Sequence, residues 1–488
     1  MSNQIIIRDN KTAKLLTDDE ALRAKIHQTL SFKLAGVEYL PSFQYGGWDG
    51  KTYLLTKKGE FPSGLVSFVE QAIKDNDQEV SITDKRAPII DVDPLDISQK
   101  LSEINKVPRD YQVDILNAAL ANRKGIVRAA TGSGKSICTA MITAAVNKPT
   151  IIYVIGLDLL KQFHDLFSSI FNEKIGFIGN GVCDVQRINI ASIWSIGKAL
   201  DLKDIVLDAD EMGKEDFDTN TKQSILTMLK QTKVHLFDEC HMITCSTIKE
   251  ILKHIDPEKI IGFSGTPYRD DNSDLLIQGI LGDKIIDISA SILIERGVLV
   301  QPTIKFVSVP PMVGGMKTYQ QIYKEYIVEN KARNNLIVSS TKTLVDKKYS
   351  PLVLFKQINH GKIIAKLFDD AGIKYAMLYG NDTLEKRTEI KQAFVSRDID
   401  VLLASTIFDI GLDLPSISAL VLAGGGKSSI RCLQRIGRAI RSSEGKSRVA
   451  VIDFYDQIKY LKKHSKIRYD IYNSESGFNV IPSKEMIK

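Results

Sequence analysis

From about residue 100 onward, short and wholly apolar runs alternate with longer stretches whose apolar positions recur at helical spacing. The runs are Gly125–Ala129, Ile151–Ile155, Ile188–Ala191, Val234–Phe237 and Ile260–Ser264. A strand that is apolar on both faces has to be covered on both, so this series predicts a parallel sheet flanked by helices. A second series follows: Pro302–Val307, Leu352–Phe355, Tyr375–Leu378, Asp400–Ala404, Ala419–Ala423 and Val449–Phe454. The predicted fold class is therefore α/β, with two parallel-sheet domains in tandem over residues 100–295 and 300–465. Residues 1–90 carry another pattern, that of a small α+β domain. Ile5–Arg8 reads as a strand, and Thr17 with Glu20 as a capping box before an amphipathic run over Leu22–Leu30. Val37–Leu40 with Thr52–Thr56 reads as a hairpin, Leu65–Ile73 as a helix and Glu79–Thr83 as a closing strand. Residues 86–99 hold two prolines and no periodicity, which marks a linker, and residues 466–488 read as a basic, then polar tail.

Composition adds bounds. A chain of 488 residues is too long for one core and suggests roughly three domains. Its 43% apolar and 25% charged residues are ordinary for a globular protein. The best apolar stretch, Thr150–Leu160, is short and carries Asp158, so no membrane span is expected. The start, Met1-Ser2-Asn3-Gln4, lacks a basic segment followed by an apolar one, and a cytoplasmic location is expected. Five scattered cysteines form no CxxC pair, and the lone cluster, Cys240-His241 with Cys245, reads as free thiols rather than a metal site. The acidic stretch Asp208–Asp218 reads as a solvated excursion. Charge is uneven: residues 420–488 hold 14 Lys and Arg against 6 Asp and Glu, whereas residues 1–95 hold 12 against 14. The basic end suits phosphate contacts; any nucleic-acid role of the first domain has to be local and shape-based.

Chemistry concentrates at two places. Ala129-Ala130-Thr131-Gly132-Ser133-Gly134-Lys135-Ser136 joins an apolar run to a helical one. Strand, glycine-bearing loop and helix start together make a phosphate cradle, with Lys135 as a point charge and Ser136 as a hydroxyl for Mg²⁺. Ala129 stands where the full pattern has a glycine. Asp238-Glu239 ends the buried run Val234–Phe237, at the strand edge where open α/β sheets bind ligands. One acid there can hold a metal and its neighbour can activate water. A rival cradle, Gly426-Lys427-Ser428, would draw its metal carboxylate from Val449–Asp453. The next helix, Gln434–Arg441, instead offers three arginines, suited to stabilising a phosphate bound elsewhere. In the first domain, Phe43–Lys51 is a glycine-rich turn that displays aromatics and a cation. It could stack on bases, or Trp48 could simply cap a small core.

Taken in order, these residues resemble a superfamily 2 helicase of the DExH type over residues 105–445, with two tandem RecA-like domains. Arg109-Asp110-Tyr111-Gln112 resembles the adenine-reading segment, and Ala130–Ser136 resembles motif I, which in this family often lacks the first glycine. Leu160–Phe163, with Gln162, sits where the family contacts a nucleic-acid backbone, though Ile155-Gly156 replace the usual residues. Asp238-Glu239-Cys240-His241 resembles motif II, and Ser264-Gly265-Thr266-Pro267 the coupling motif III. Gly380 and Arg387 fall at motif IVa spacing, Ser405-Thr406 through Asp413 resembles motif V, and Gln434–Arg441 motif VI.

The resemblance implies ATP and Mg²⁺ held by Thr131–Ser136, Asp238 and Glu239, with Gln434, Arg438 and Arg441 facing them and His241, Ser264, Thr266 and Asp413 coupling to the strand. The turn Tyr45–Gly50 is similar to that of phage UvsW-type helicases, which act on forks, Holliday junctions and displacement loops. It implies branched DNA as the partner, engaged by Trp48, Gln162, Ser405 and Thr406. A monomer working beside replication or recombination proteins is expected. An RNA-directed helicase and the motor subunit of a restriction or remodelling assembly are the alternatives.

Overall fold

The computed structural model describes residues 3–33, 37, 41–201, 217–241, 246–266, 274–312, 318–379, 382, 384–405, 417–426, 436–437, 446 and 448–487. The chain forms two compact units, residues 1–129 with 134–288, and residues 289–488 with 130–133.

The first unit opens with a four-stranded sheet in the order Glu60–Pro62, Thr12–Leu16, Asn3–Ile7, Val80–Asp84. Helices Glu20–Thr29 and Val66–Lys74 cover it, burying Leu22, Ile26, Val69 and Ile73 against Ile5, Ala13 and Leu15. Several expectations shift here. The helix cap is Asp19, whose carboxylate takes the Leu22 N–H at 2.9 Å, while Thr17 is spent on Asn3 at 2.7 Å. The antiparallel ribbon pairs Ser31–Lys33 with Lys51–Tyr53, so the hairpin's first strand precedes Val37–Leu40, of which only Val37 is described. Strands Thr12–Leu16 and Glu60–Pro62 were not anticipated; the second, three residues long, is too short for alternation to register.

The same unit continues into an eight-stranded sheet. Its order is Val182–Asp184, Gly176–Gly179, Ile188–Ser192, Thr150–Val154, Val234–Asp238, Lys259–Ser264, Lys124–Ala129, Lys284–Ile288. All pairs are parallel except the first. The five expected strands lie together in its centre; the added ones flank them, Val182–Asp184 and Lys284–Ile288 being half-exposed edge strands and Gly176–Gly179 a short one with glycine at both ends. Because the central strands are parallel, the loop after Ala129, Asp238 and Ser264 emerge at one edge.

The second unit has seven parallel strands in the order Tyr375–Leu378, Val401–Ser405, Pro351–Phe355, Ala419–Val421, Val449–Tyr455, Pro302–Ser308, Asn479–Ile481. Residues 466–488 are no free tail. Lys459–Asn473 is a helix and Asn479–Ile481 is the sheet's edge strand, paired with Thr303–Lys305.

Candidate functional site

The loop between strand Lys124–Ala129 and helix Lys135–Val146 turns on two left-handed glycines, Gly132 at φ +92° and Gly134 at φ +79°. Both φ values suit glycine alone among common residues, and they aim the helix's first N–H groups into the turn. Lys135, the first helical residue, extends to Glu239, with Nζ 3.0 Å from Oε1. Glu239 follows the strand Val234–Asp238 with φ +50°, a backbone state uncommon outside glycine.

The acidic pair has split electrostatics. Burial raises both carboxyls. At Asp238 it prevails over the Lys135 charge and pushes the group up to about 6. At Glu239 the Lys135 charge and a His241 hydrogen bond overcome burial and hold the carboxylate well below the usual range. Burial likewise lowers Lys135, but the Glu239 and Asp238 charges reverse it and raise the ammonium. Asp238 Oδ1 is buried without a hydrogen-bond partner, a position that a cation beside the loop would satisfy. The residues present therefore fit a nucleotide's Mg²⁺, with Ser136 on the loop side.

A hydrogen-bonded relay leaves the acid. His241 Nδ1 is 3.1 Å from Ser264 Oγ and 3.3 Å from Glu239 Oε2, and Ser264 Oγ donates to Glu239 Oε2 at 3.3 Å. The Thr266 N–H donates to Ser264 Oγ at 3.1 Å. Motif II and motif III are thus joined through one serine. On the loop's other side, Gln112 is buried, accepts the Arg109 N–H at 2.9 Å, and brings Nε2 against Gly134. The oxygen of its amide is thereby committed to the backbone. Arg109 Nη1 donates to Tyr111 at 2.9 Å.

The rival cradle loses its metal carboxylate. Asp453 is fully buried and held by Arg468 Nε and Nη2, each at 2.9 Å, and by Tyr472 at 3.0 Å. Lys427 and Ser428 lie outside the described residues.

Three family models match in sequence order. They are "DNA helicase UvsW, N-terminal" over residues 4–83, "Type III restriction enzyme, res subunit" over 105–269, and "Helicase conserved C-terminal domain" over 318–443. The chain is 26% identical to the ATP-dependent DNA helicase uvsW of Enterobacteria phage T4, over 95% of each chain. The chain is an ATP-dependent DNA helicase. It is also 22% identical to the DNA 3′-5′ translocase XPB2 of Sulfurisphaera tokodaii, over 69% of this chain and 79% of that one. In fold it is similar to S. cerevisiae Dbp5 bound to RNA and ADP BeF3, with a TM-score of 0.53, 12% identity, and 80% and 94% coverage.

In this helicase, the residues expected at a nucleic acid are only partly described. Gln162 is exposed on helix Leu157–Ile170, and Ser405 ends strand Val401–Ser405 half-buried. Arg387 lies on helix Leu384–Val395. Gly380, Thr406, Asp413, Gln434, Arg438, Arg441, Pro267 and Cys245 fall outside the described residues, as does most of Asp208–Asp218. Trp48 is half-buried, and its indole N–H donates to Lys51 O at 2.8 Å. Sequence reasoning missed how the first domain docks. Lys11 Nζ donates to Leu252 O and Ile255 O at 3.2 and 2.8 Å, and Asn10 Nδ2 to Pro257 O and Glu258 O at 2.8 and 3.1 Å. Nothing in the local pattern marks Asn10 or Lys11 for this role. Among the described residues, no helix is long and apolar enough to cross a membrane.

Proposed function

We propose that this helicase is an ATP-driven DNA motor that remodels branched DNA, namely forks, Holliday junctions and displacement loops. The observation that carries the reading is domain order: a UvsW-type N-terminal domain stands ahead of an ATP site with its lysine, acid pair and relay in place. The T4 relative, alike over 95% of both chains, is a DNA helicase by name. In the proposed mechanism Lys135 leaves Glu239 for the β- and γ-phosphate oxygens, and the freed Glu239 orients the attacking water and takes its proton. Mg²⁺, when bound, supplies charge for the phosphate oxygens, and Ser136 and Asp238 would hold it. Ser264 and His241, hydrogen-bonded to Glu239, then carry its change of partner to Thr266. Arg438 and Arg441 are assigned to the developing γ-phosphate charge, and Gln434 and Asp413 to the nucleotide. The cellular setting that fits is the cytoplasm, with replication or recombination proteins nearby and the chain acting as a monomer.

The test is ATP hydrolysis by the full chain with linear duplex, forked DNA, Holliday junction and RNA duplex. The fork and the junction should stimulate most. Stimulation by RNA alone would replace the DNA reading, and stimulation that depends on a co-purified protein would favour a motor subunit of a larger assembly.

A further inference from the structure

Two buried arginines of the second unit end on one loop. That loop, Ala423–Gly426, follows the strand Ala419–Val421 at the carboxyl edge of the sheet, and the motif VI stretch Gln434–Arg441 comes next in the chain. Arg333, on helix Lys331–Asp346, is fully buried; its Nε bonds Asp456 Oδ1 at 2.9 Å and its Nη1 donates to Ala423 O at 2.6 Å. Arg468, on helix Lys459–Asn473, is buried as well; its Nε and Nη2 grip Asp453 at 2.9 Å each, and its Nη1 donates to Gly426 O at 2.6 Å. Between them the buried Tyr323 hydroxyl donates to Gly424 O at 2.6 Å. Carbonyls along the loop are thus held from inside by side chains of three separate helices.

Stability alone does not account for this arrangement. Burying an ion pair costs desolvation that its own attraction barely offsets, so two such pairs in one unit are a poor source of stability. What they secure is backbone position, since each guanidinium spends a donor left over from its aspartate on a loop carbonyl. The loop needs holding. Gly425 has φ +60° and Gly426 φ +115°, values that residues with a Cβ rarely adopt, although among the described residues nothing stands within 4 Å of a Cβ on Gly426. The backbone's course there is set by its bonds and not by crowding. Further along, Ile436 of motif VI is fully buried. The segment is therefore anchored at the loop and again at Ile436.

We propose that Arg333, Arg468 and Tyr323 are positioning residues for ATP hydrolysis. They act through the backbone: by fixing Ala423–Gly426 they fix where motif VI sets out, and with it the placement of Arg438 and Arg441 for the γ-phosphate charge. Gly426, which the sequence offers as part of a rival cradle, serves this brace instead. The inference rests on the arginine assignment of the proposed function.

The test is steady-state ATP hydrolysis by the full chain with saturating forked DNA, at a temperature where circular dichroism shows every variant folded. Tyr323→Phe keeps the ring and removes the hydroxyl that bonds Gly424 O, while Gly426→Ala perturbs the loop's backbone without striking a described neighbour. Each should lower the turnover number roughly tenfold and leave the KM for ATP within about twofold, because the arginines act on charge that develops in the transition state. Arg438→Ala alone should be slower still, and adding either variant to it should cost less than about twofold more. Wild-type turnover in both Tyr323→Phe and Gly426→Ala, a change confined to KM, or the same tenfold loss repeated in the Arg438→Ala background overturns the inference and leaves the arginine assignment standing. Wild-type turnover in Arg438→Ala overturns the assignment itself.

Discussion

At the scale of single residues the decisive pair is Lys135 and Glu239. Held 3.0 Å apart, each is kept charged by the other, so neither drifts into the neutral form that burial favours. Lys135→Ala should remove the phosphate charge and Glu239→Gln the water's proton acceptor. Each should lower the ATP turnover number by a factor on the order of 10² to 10⁴, with far-UV circular dichroism unchanged. Turnover within a few-fold of wild type in either variant would contradict the assignment. Both residues were legible in the sequence, because a loop ending in Gly-Lys-Ser and an acid pair ending an apolar run each carry their reason locally. The left-handed backbone at Glu239 and the Ser264 relay were not, since they depend on how two strands far apart in sequence end side by side.

A different residue should govern acid stability. His235 is fully buried, accepts the Tyr153 hydroxyl proton at Nδ1 over 3.0 Å, and faces Thr232 O with Nε2 at 3.3 Å. Burial lowers it to about 3. The unfolded chain, with an ordinary imidazole, therefore binds a proton between about pH 6.5 and 3 that the folded chain refuses. Its contribution to stability is complete above about 6.5 and is lost as pH falls toward 3, by roughly 1.4 kcal/mol per pH unit. Urea unfolding at pH 7 and pH 5 should show this loss in wild type and a smaller one in His235→Gln; an unchanged difference would count against it.

At the scale of elements, the first domain and the ATP-binding sheet behave as one piece. Gly64 sits where the 3₁₀ turn Ser63–Leu65 meets helix Asp274–Leu281, and a Cβ there would strike the Gln278 and Gly279 carbonyl oxygens. Those are backbone atoms of a helix end and cannot swing aside. Gly64→Ala should lower stability by about 1–3 kcal/mol and speed amide exchange over both Val66–Lys74 and Asp274–Leu281. An unshifted melting curve would show that the turn is not packed this tightly. Residues 86–99 were legible as a linker but not as a strapped one: Leu95 N–H donates to Ala144 O at 2.9 Å and Asn147 Nδ2 to Asp93 O at 2.8 Å. Proline and aperiodicity announce the absence of a helix or strand; they say nothing about the carbonyls that the segment passes. The misplaced cap has a similar origin, because Thr17, Asp18 and Asp19 all satisfy the local rule and only the Asn3 contact draws Thr17 away.

At the scale of the whole molecule, the order of domains was legible because buried parallel strands are apolar at every position, as Ile151–Val154 and Val401–Ala404 are. The fate of the last residues was not. Asn479–Ile481 is a three-residue edge strand whose pairing with Thr303–Lys305 joins positions far apart in the chain, and its sequence alone is indistinguishable from a tail. The basic balance of residues 420–488 is likewise not all surface: Arg468 is buried on Asp453, so part of that charge holds the second unit together. The proposed function has ATP hydrolysis at Lys135, Asp238 and Glu239 drive remodelling of branched DNA. It is tested most directly by following the conversion of a labelled fork on a gel, with linear and RNA duplexes alongside, for wild type and Glu239→Gln. Wild type with ATP and Mg²⁺ should convert the fork far faster than either linear substrate, and Glu239→Gln should bind the fork yet convert none. Conversion by Glu239→Gln at the wild-type rate, or equal rates on all three substrates, would contradict it.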